Sequence, residues 1–281
     1  MSFICIVTGC SQSSGFGWLT ALELRRRDHT VVATMREVSG RNAVAAADLG
    51  AVVEVAELDV TDDATAGRLV ADVIERHGGI HALVNNAADV RYGALEDTSV
   101  ESLHAAFDTN VLGPHRLIRA VLPHMRERGS GVIVQVSSIN GFSVAPLFGS
   151  YSASKHALEA YSEALAYEIG HFGVRVAIVE PSAFLTGLHQ RGWWEPGSDD
   201  GPYAPLKRRS WDSGLDEWVG SMEDPNDVAR AIADAIEDPA TQLHVPVGRV
   251  AEESRGRARP MSDDVLRAEA LEGIGWEHPD R

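Results

Sequence analysis

Ser138, Tyr151 and Lys155 lie within the stretch QVSSINGFSVAPLFGSYSASK, Gln135 to Lys155, and their types and spacing suit proton transfer. Ser138 follows the apolar run Val132 to Val136, while Tyr151 and Lys155 head an expected helix from Tyr151 to Gly170. Residues four apart share a helix face, so phenol and ammonium point the same way. A free phenol titrates near ~10 and an ammonium near ~10.4. A lysine cation held beside the phenol is expected to lower the tyrosine pKa and make it a usable acid or base. Ser138 would fix a substrate carbonyl or hydroxyl against Tyr151. Taken alone, a tyrosine and a lysine four apart are more often an accident of spacing with a solvated lysine.

The elements around this segment give it a frame. The run Phe3 to Thr8 stops in the loop Gly9-Cys10-Ser11-Gln12-Ser13-Ser14-Gly15-Phe16-Gly17, and a helical pattern follows. Strand, glycine loop and helix in that order can seat a phosphate, because glycines admit close approach and helix N-terminal amides face the anion; such a loop can also be a plain turn. The strand Thr30 to Thr34 ends in Met35-Arg36. An arginine there accommodates a 2′-phosphate where an acidic residue would bind ribose hydroxyls, which favours NADP over NAD; an ordinary surface cation is the other reading. Alternation continues through helix Arg41 to Leu49, strand Ala51 to Glu57, helix Ala64 to His77 and strand Ile80 to Val84. A long helical region follows, Val100 to Arg128, interrupted near Gly113-Pro114. Strand Val174 to Val179, helix Asn226 to Glu237 and strand Leu243 to Val247 complete the pattern. Apolar strands separated by helices indicate an α/β fold, a Rossmann-type doubly wound parallel sheet covering residues 1–250. Right-handed crossovers then bring the glycine loop, Arg36, Asp59, Asn85, Ser138 and Pro181 to one edge.

Composition narrows the partners. A formal charge of −16 on 281 residues argues against nucleic acid and anionic membranes. No apolar run approaches the ~20 residues of a membrane span, and MSFICIVTG lacks the features of a signal peptide, so a cytoplasmic protein is expected. Cys5 and Cys10 are expected as free thiols, and the histidines form no metal-ligand pattern, so no metal is expected. Residues 187–222 carry Trp193, Trp194, Tyr203, Trp211 and Trp218 among glycines and prolines. Such an excursion suits a lid over an apolar substrate, with Trp193 and Trp194 contacting it, or aromatic packing onto the core or a subunit neighbour. Residues 251–281 read as a charged tail with a short helix near Val265 to Leu271.

Thr8-Gly9 with Gly15-Phe16-Gly17, the run Asn85-Asn86-Ala87, Asn110, Ser138, the Tyr151 and Lys155 pair, and Pro181 with Thr186 resemble the short-chain dehydrogenase/reductase family over roughly residues 3–250. The separation of thirteen between Ser138 and Tyr151 selects Ser138 over Ser137. The resemblance implies a nicotinamide cofactor and a catalytic tetrad of Asn110, Ser138, Tyr151 and Lys155, with Asn110 anchoring a water and Lys155 holding the nicotinamide ribose. It implies cofactor contacts from Gly9, Ser11, Ser14, Gly15, Phe16, Gly17, Arg36, Asp59, Val60, Asn86, Ala87, Pro181 and Thr186. Among these, Ser14 and Arg36 would meet a 2′-phosphate, Asp59 and Val60 the adenine, and Thr186 the carboxamide. The phrase VVATMRE is similar to NADP-using members that act on steroids, retinoids or other bulky carbonyl compounds. The expected activity is an NADP(H)-dependent interconversion of a carbonyl and an alcohol on a medium-sized apolar substrate, carried out by a homodimer or homotetramer. A regulatory nucleotide-binding protein without turnover and a cofactor-assisted epimerase are the competing readings. Three positions depart from the family pattern: two additional residues between Gly9 and Gly15, Ala88 for glycine, and Ser182 for glycine.

Overall fold

Strands that are apolar at successive positions need cover on both faces, which helices between parallel strands provide. The computed structural model describes residues 2–184, 186, 201–208 and 223–258. Seven strands appear among them: β1 (Ile4–Val7), β2 (Thr30–Met35), β3 (Glu54–Glu57), β4 (Ala82–Asn85), β5 (Gly131–Val136), β6 (Val174–Pro181) and β7 (His244–Val247). They pair in parallel in the order β3-β2-β1-β4-β5-β6-β7. The order reverses direction between β1 and β4, and the crevice at such a switch point is where ligands enter open α/β sheets.

The alternation of strand side chains decides which helix covers which face. Cys5, Val7, Val84 and Val134 face α1 (Phe16–Arg26), α2 (Ala43–Gly50) and α7 (Asn226–Glu237). Ile6, Leu83 and Ile133 face α3 (Asp63–His77), α5 (Gly113–Arg128) and α6 (Gly149–Ile169). Each of these three large side chains is wholly buried, worth about 1.5–3 kcal/mol apiece in area removed from water. The doubly wound fold expected from the alternating pattern is therefore present, and Cys5 and Cys10 are buried free thiols.

Several element ends differ from the sequence pattern for local reasons. α2 starts at Ala43 because Gly40 and Asn42 both donate to the Glu37 carbonyl and hold Arg41 in a turn. β3 starts at Glu54 because the amides of Ala51, Val52 and Val53 close the end of α2 on Ala47 and Leu49. The long helical region divides into α4 (Val100–Phe107), a π-helical turn Asp108–Leu112 carrying Asn110, and α5 with Pro114 in its first turn. β6 runs on through Glu180 and Pro181. A last helix, α8 (Arg249–Ala258), crosses residue 250 and packs against β7 and the turn Ile139–Gly141. The expected helix near Val265 and the tryptophans of the proposed lid lie outside the described residues.

The junction of β1, α1 and β4 requires glycine. Gly9 has φ +74°, and a Cβ there would stand 2.7 Å from the Ala87 Cα. A Cβ on Gly17 would press against the Asn86 carboxamide and stand 2.8 Å from the Gly9 carbonyl oxygen. Gly9→Ala is therefore expected to cost about 1–3 kcal/mol in urea unfolding, because both the left-handed φ and the backbone contact must yield.

Candidate active site

The strand ends on one edge of the sheet surround a cleft of about 440 Å³. At its centre the β1 and β4 ends are locked together. Thr8 Oγ1 accepts from the amides of Asn86 and Ala87, both at 2.9 Å, and Asn86 Nδ2 donates to the Thr8 carbonyl at 2.7 Å. This lock places Gly9, Ser11, Gln12, Gly15 and Phe16 opposite Asn86, Ala87 and Ala88 along the cleft. The two additional loop residues are absorbed by a turn in which Gly15 donates to the Gln12 carbonyl at 2.9 Å. That turn brings Ser11 and Gln12 to the cleft, whereas Ser14 does not line it. Ala88 and Ser182, standing where the family has glycine, are not among the positive-φ residues, so a side chain fits at both.

One end of the cleft is cationic. Arg36, at the end of β2, lines it, and so do Arg41 and Asn42. Asn42 donates to the Arg36 carbonyl, and Arg41 pairs with Glu37 at 3.2 Å. Asp59 and Val60, after β3, line the same region. Burial pushes the Asp59 carboxyl up, but hydrogen bonds from the Thr61 amide and hydroxyl outweigh it and leave it below its ordinary range. Gly113 lets α5 approach: a Cβ there would stand 3.0 Å from Val60 Cβ.

The other end gathers the proton-handling groups. Tyr151 and Lys155, one turn apart on α6, both line the cleft, and Thr186 closes it. Lys155 is 2% exposed, and its Nζ donates to the Val136 carbonyl at the end of β5 at 2.7 Å. Ser138, just past β5, is buried and close enough to the Tyr151 phenol to lower its pKa. It does not itself line the cleft, and neither does Pro181 inside β6 or Gly17 beneath the loop. The Asn110 side chain is also turned away from the cleft. Its Oδ1 accepts from the Asp89 amide at 2.7 Å, and its Nδ2 donates to the Asp89 carbonyl and to Ser154 Oγ. Ser154 in turn donates to the Tyr151 carbonyl at 2.7 Å. Asn110 thus ties the segment after β4 to the first turn of α6.

Burial outweighs the lowering of the Tyr151 pKa expected from Lys155. It pushes the phenol up to about 12, and Ser138 opposes that only in part. The lysine Nζ lies 5.7 Å from the centre of the tyrosine ring and spends its short contact on Val136. Burial in turn brings Lys155 down to about 8, with Glu159 opposing. Tyr151 is thus a neutral phenol at pH 7, in the state that gives a proton away, while Lys155 remains largely charged.

The sequence pattern did not single out Arg41, Asn42, Gln12 or Ser137 as cleft residues. A second arginine five residues after Arg36 was the available signal for Arg41. The pattern also missed a buried ionic cluster behind the cleft. Its His244 Nδ1 lies 2.7 Å from Glu180 and 3.4 Å from Glu159, and Arg255 Nη2 lies 3.2 Å from Glu180. Those residues are scattered over four elements, and no spacing in the chain joins them. Trp193 and Trp194 lie outside the described residues. In the described part of the same stretch, Tyr203 donates to Glu96 and Lys207 to Asp97, so residues 201–208 rest against the turn Leu95–Asp97.

A parallel doubly wound sheet whose strand ends unite a glycine loop with a serine, a tyrosine and a lysine defines a dinucleotide-binding oxidoreductase scaffold. The chain belongs to the short chain dehydrogenase family, whose pattern it matches over residues 4–194. It is 34% identical to human retinol dehydrogenase 8 across 82% of its own length and 76% of that protein. It is 31% identical to rat estradiol 17-beta-dehydrogenase 1 across 86% and 72%. Among solved structures, a short-chain dehydrogenase from Streptomyces avermitilis superposes with a TM-score of 0.77 at 36% identity, covering 98% of this chain and 97% of that one. The chain is accordingly an NAD(P)-dependent oxidoreductase of carbonyl and alcohol groups. Among its described helices, none is long and apolar enough to cross a membrane.

The inverted tyrosine environment has a spectroscopic consequence. In an alkaline titration of the cofactor-free protein, the difference between wild type and Tyr151→Phe is expected to show one phenolate appearing with a midpoint near about 12. A midpoint at or below the ordinary ~10 would show that burial does not hold the phenol above its usual value.

Proposed function

We propose that the protein is an NADP(H)-dependent reductase of a medium-sized apolar ketone or aldehyde, or the reverse alcohol dehydrogenase. The observation that carries this reading is the polarity of the cleft: Tyr151 and Lys155 line one end, with Ser138 beside the phenol, while Arg36 and Arg41 stand at the other. Two guanidiniums suit a dianionic 2′-phosphate; of the acidic groups near the β2 end, Glu37 pairs with Arg41, Glu57 accepts from the Val38 amide and Asp59 accepts from Thr61. The cradle at Gly9, where a Cβ would stand 2.7 Å from Ala87, fits a backbone that must approach a pyrophosphate closely. Asp59 and Val60 would flank the adenine, and Lys155 and Thr186 the nicotinamide half.

When bound, the cofactor supplies or accepts a hydride; the chain does the rest. Ser138 orients the substrate oxygen against Tyr151, and the phenol, kept protonated by burial, gives its proton to that oxygen as negative charge develops there. Lys155 places a positive charge beside the forming phenolate, where the scarcity of water makes it count for more than it would in solution. Alcohol oxidation runs the same proton in reverse and therefore gains from higher pH. Similarity to enzymes named for retinol and estradiol supports a bulky apolar alcohol or ketone as substrate. Trp193 and Trp194 are proposed to cover that substrate.

Two measurements test this reading. NADPH is expected to bind more tightly than NADH, and Arg36→Ala or Arg41→Ala should weaken NADPH by roughly ten- to a hundredfold, the worth of a hydrogen bond to a charged group, with little effect on NADH. Equal losses for both cofactors would remove the 2′-phosphate assignment. With NADPH and a panel of apolar ketones, Tyr151→Phe should lower kcat by at least about a hundredfold while cofactor affinity stays near wild type. A fully active variant would dismiss the phenol as proton donor.

A further inference from the structure

Lys155 is buried where water cannot stabilise an ammonium, and its one short contact, the Val136 carbonyl, is a neutral dipole. The next residue on the same stripe of α6 is Glu159, one turn further along and 5% exposed. Neither carboxylate oxygen of Glu159 has a hydrogen-bond partner among the described residues. Its nearest cations are loosely placed, His244 Nδ1 at 3.4 Å and Arg255 Nη2 at 4.0 Å, whereas both sit closer to Glu180. Toward the cleft, Glu159 Oε1 and Ser137 Oγ, the latter also without a partner, lie 2.7 and 2.6 Å from the place where a Cβ on Gly141 would stand. Gly141 thus keeps open the gap between the carboxylate and the cleft-lining Ser137.

We propose that Glu159 is a positioning residue for the reaction: its buried carboxylate, one helical turn from Lys155 and flanked on its far side by His244 and Arg255, is the counter-charge that favours the buried Lys155 ammonium. The inference rests on the reading that Lys155 works in the cleft. The groups around the pair come from every packed element. Tyr151 and Glu163 share α6, Ser137 and the Val136 carbonyl come from the end of β5, Glu180 from β6, His244 from β7 and Arg255 from α8. Burial works against the His244 cation, but Glu159, Glu163 and Glu180 together raise its pKa to about 10, so it stays charged at neutral pH. Glu180 is pushed upward by burial. Glu159, imperfectly paired on that side and one turn from Lys155, opposes the desolvation that lowers the Lys155 pKa. Arg255, stacked 4.8 Å over the Phe142 ring, makes the last described helix part of this arrangement.

The sequence makes the test direct, because Lys155 and Lys207 are its only lysines. Lysine labelled at the side-chain carbon next to the amine gives two NMR signals, and Lys207→Arg assigns them. In the full-length, cofactor-free protein, the Lys155 signal should titrate near pH about 8. Glu159→Gln is expected to lower that midpoint by at least about one pH unit, a tenfold weaker hold on the proton. Glu159→Asp should lower it less, and Glu163→Gln, two turns from Lys155, should leave it unmoved. A merely structural role for Glu159 would reduce the melting temperature without moving the midpoint, so a folded Glu159→Gln protein that titrates like wild type overturns the proposal. If Glu159→Gln does not fold, an unshifted midpoint in Glu159→Asp does the same. The readout needs neither cofactor nor turnover, so failure of the oxidoreductase reading would leave it intact and separately visible.

Discussion

Holding a lysine ammonium out of water is the constraint on which the site depends. Desolvation of a buried cation is expensive unless dipoles and counter-charges replace the lost water. Here the replacement is assembled from three directions. The β5 end offers the Val136 carbonyl, α6 is proposed to offer Glu159, and the π turn anchors α6 through Asn110 and Ser154. Tyr151, partly buried beside Lys155, is likewise pushed toward its protonated form, and in the proposed reaction the phenol would release that proton while the ammonium meets the negative charge left behind.

The opposite end of the cleft follows a different rule. Arg36 and Arg41 are exposed and sit on a turn at the sheet edge, where a phosphate dianion would displace little of their hydration. A chain with a formal charge of −16 thus places cationic groups at the two ends of one cleft. Between the ends, the contacts of Thr8, Gly9, Gly17 and Asn86 hold the β1 and β4 ends together.

The ionic cluster behind Lys155 extends the site beyond the strand ends. Arg255 reaches from α8 to Glu180, and His244 joins β7 to β6 and α6. α8 spans the position, residue 250, at which the composition turns charged, and through Arg255 it reaches the cluster behind the cleft. Charge in a sequence usually marks solvent; here three carboxylates are drawn inward because two cations from distant parts of the chain meet them.

The sequence by itself determined the strand and helix alternation, the doubly wound sheet and the identities of Ser138, Tyr151 and Lys155, because these depend on apolar periodicity and on spacing along one helix or strand end. It also contained Arg36 and the glycine loop as local patterns. Only the tertiary structure decided the protonation tendencies of Tyr151 and Lys155, since burial is a sum over residues from many elements and reversed the effect expected from their pairing. It decided that Asn110 turns away from the cleft, through a π turn that no residue pattern marks. It brought Arg41 to the cleft through a backbone turn on the Glu37 carbonyl, and it assembled Glu159, Glu180, His244 and Arg255, whose separations in sequence carry no period. Local periodicity is written in the order of residues, whereas electrostatic environment is a property of what the fold brings within a few ångströms.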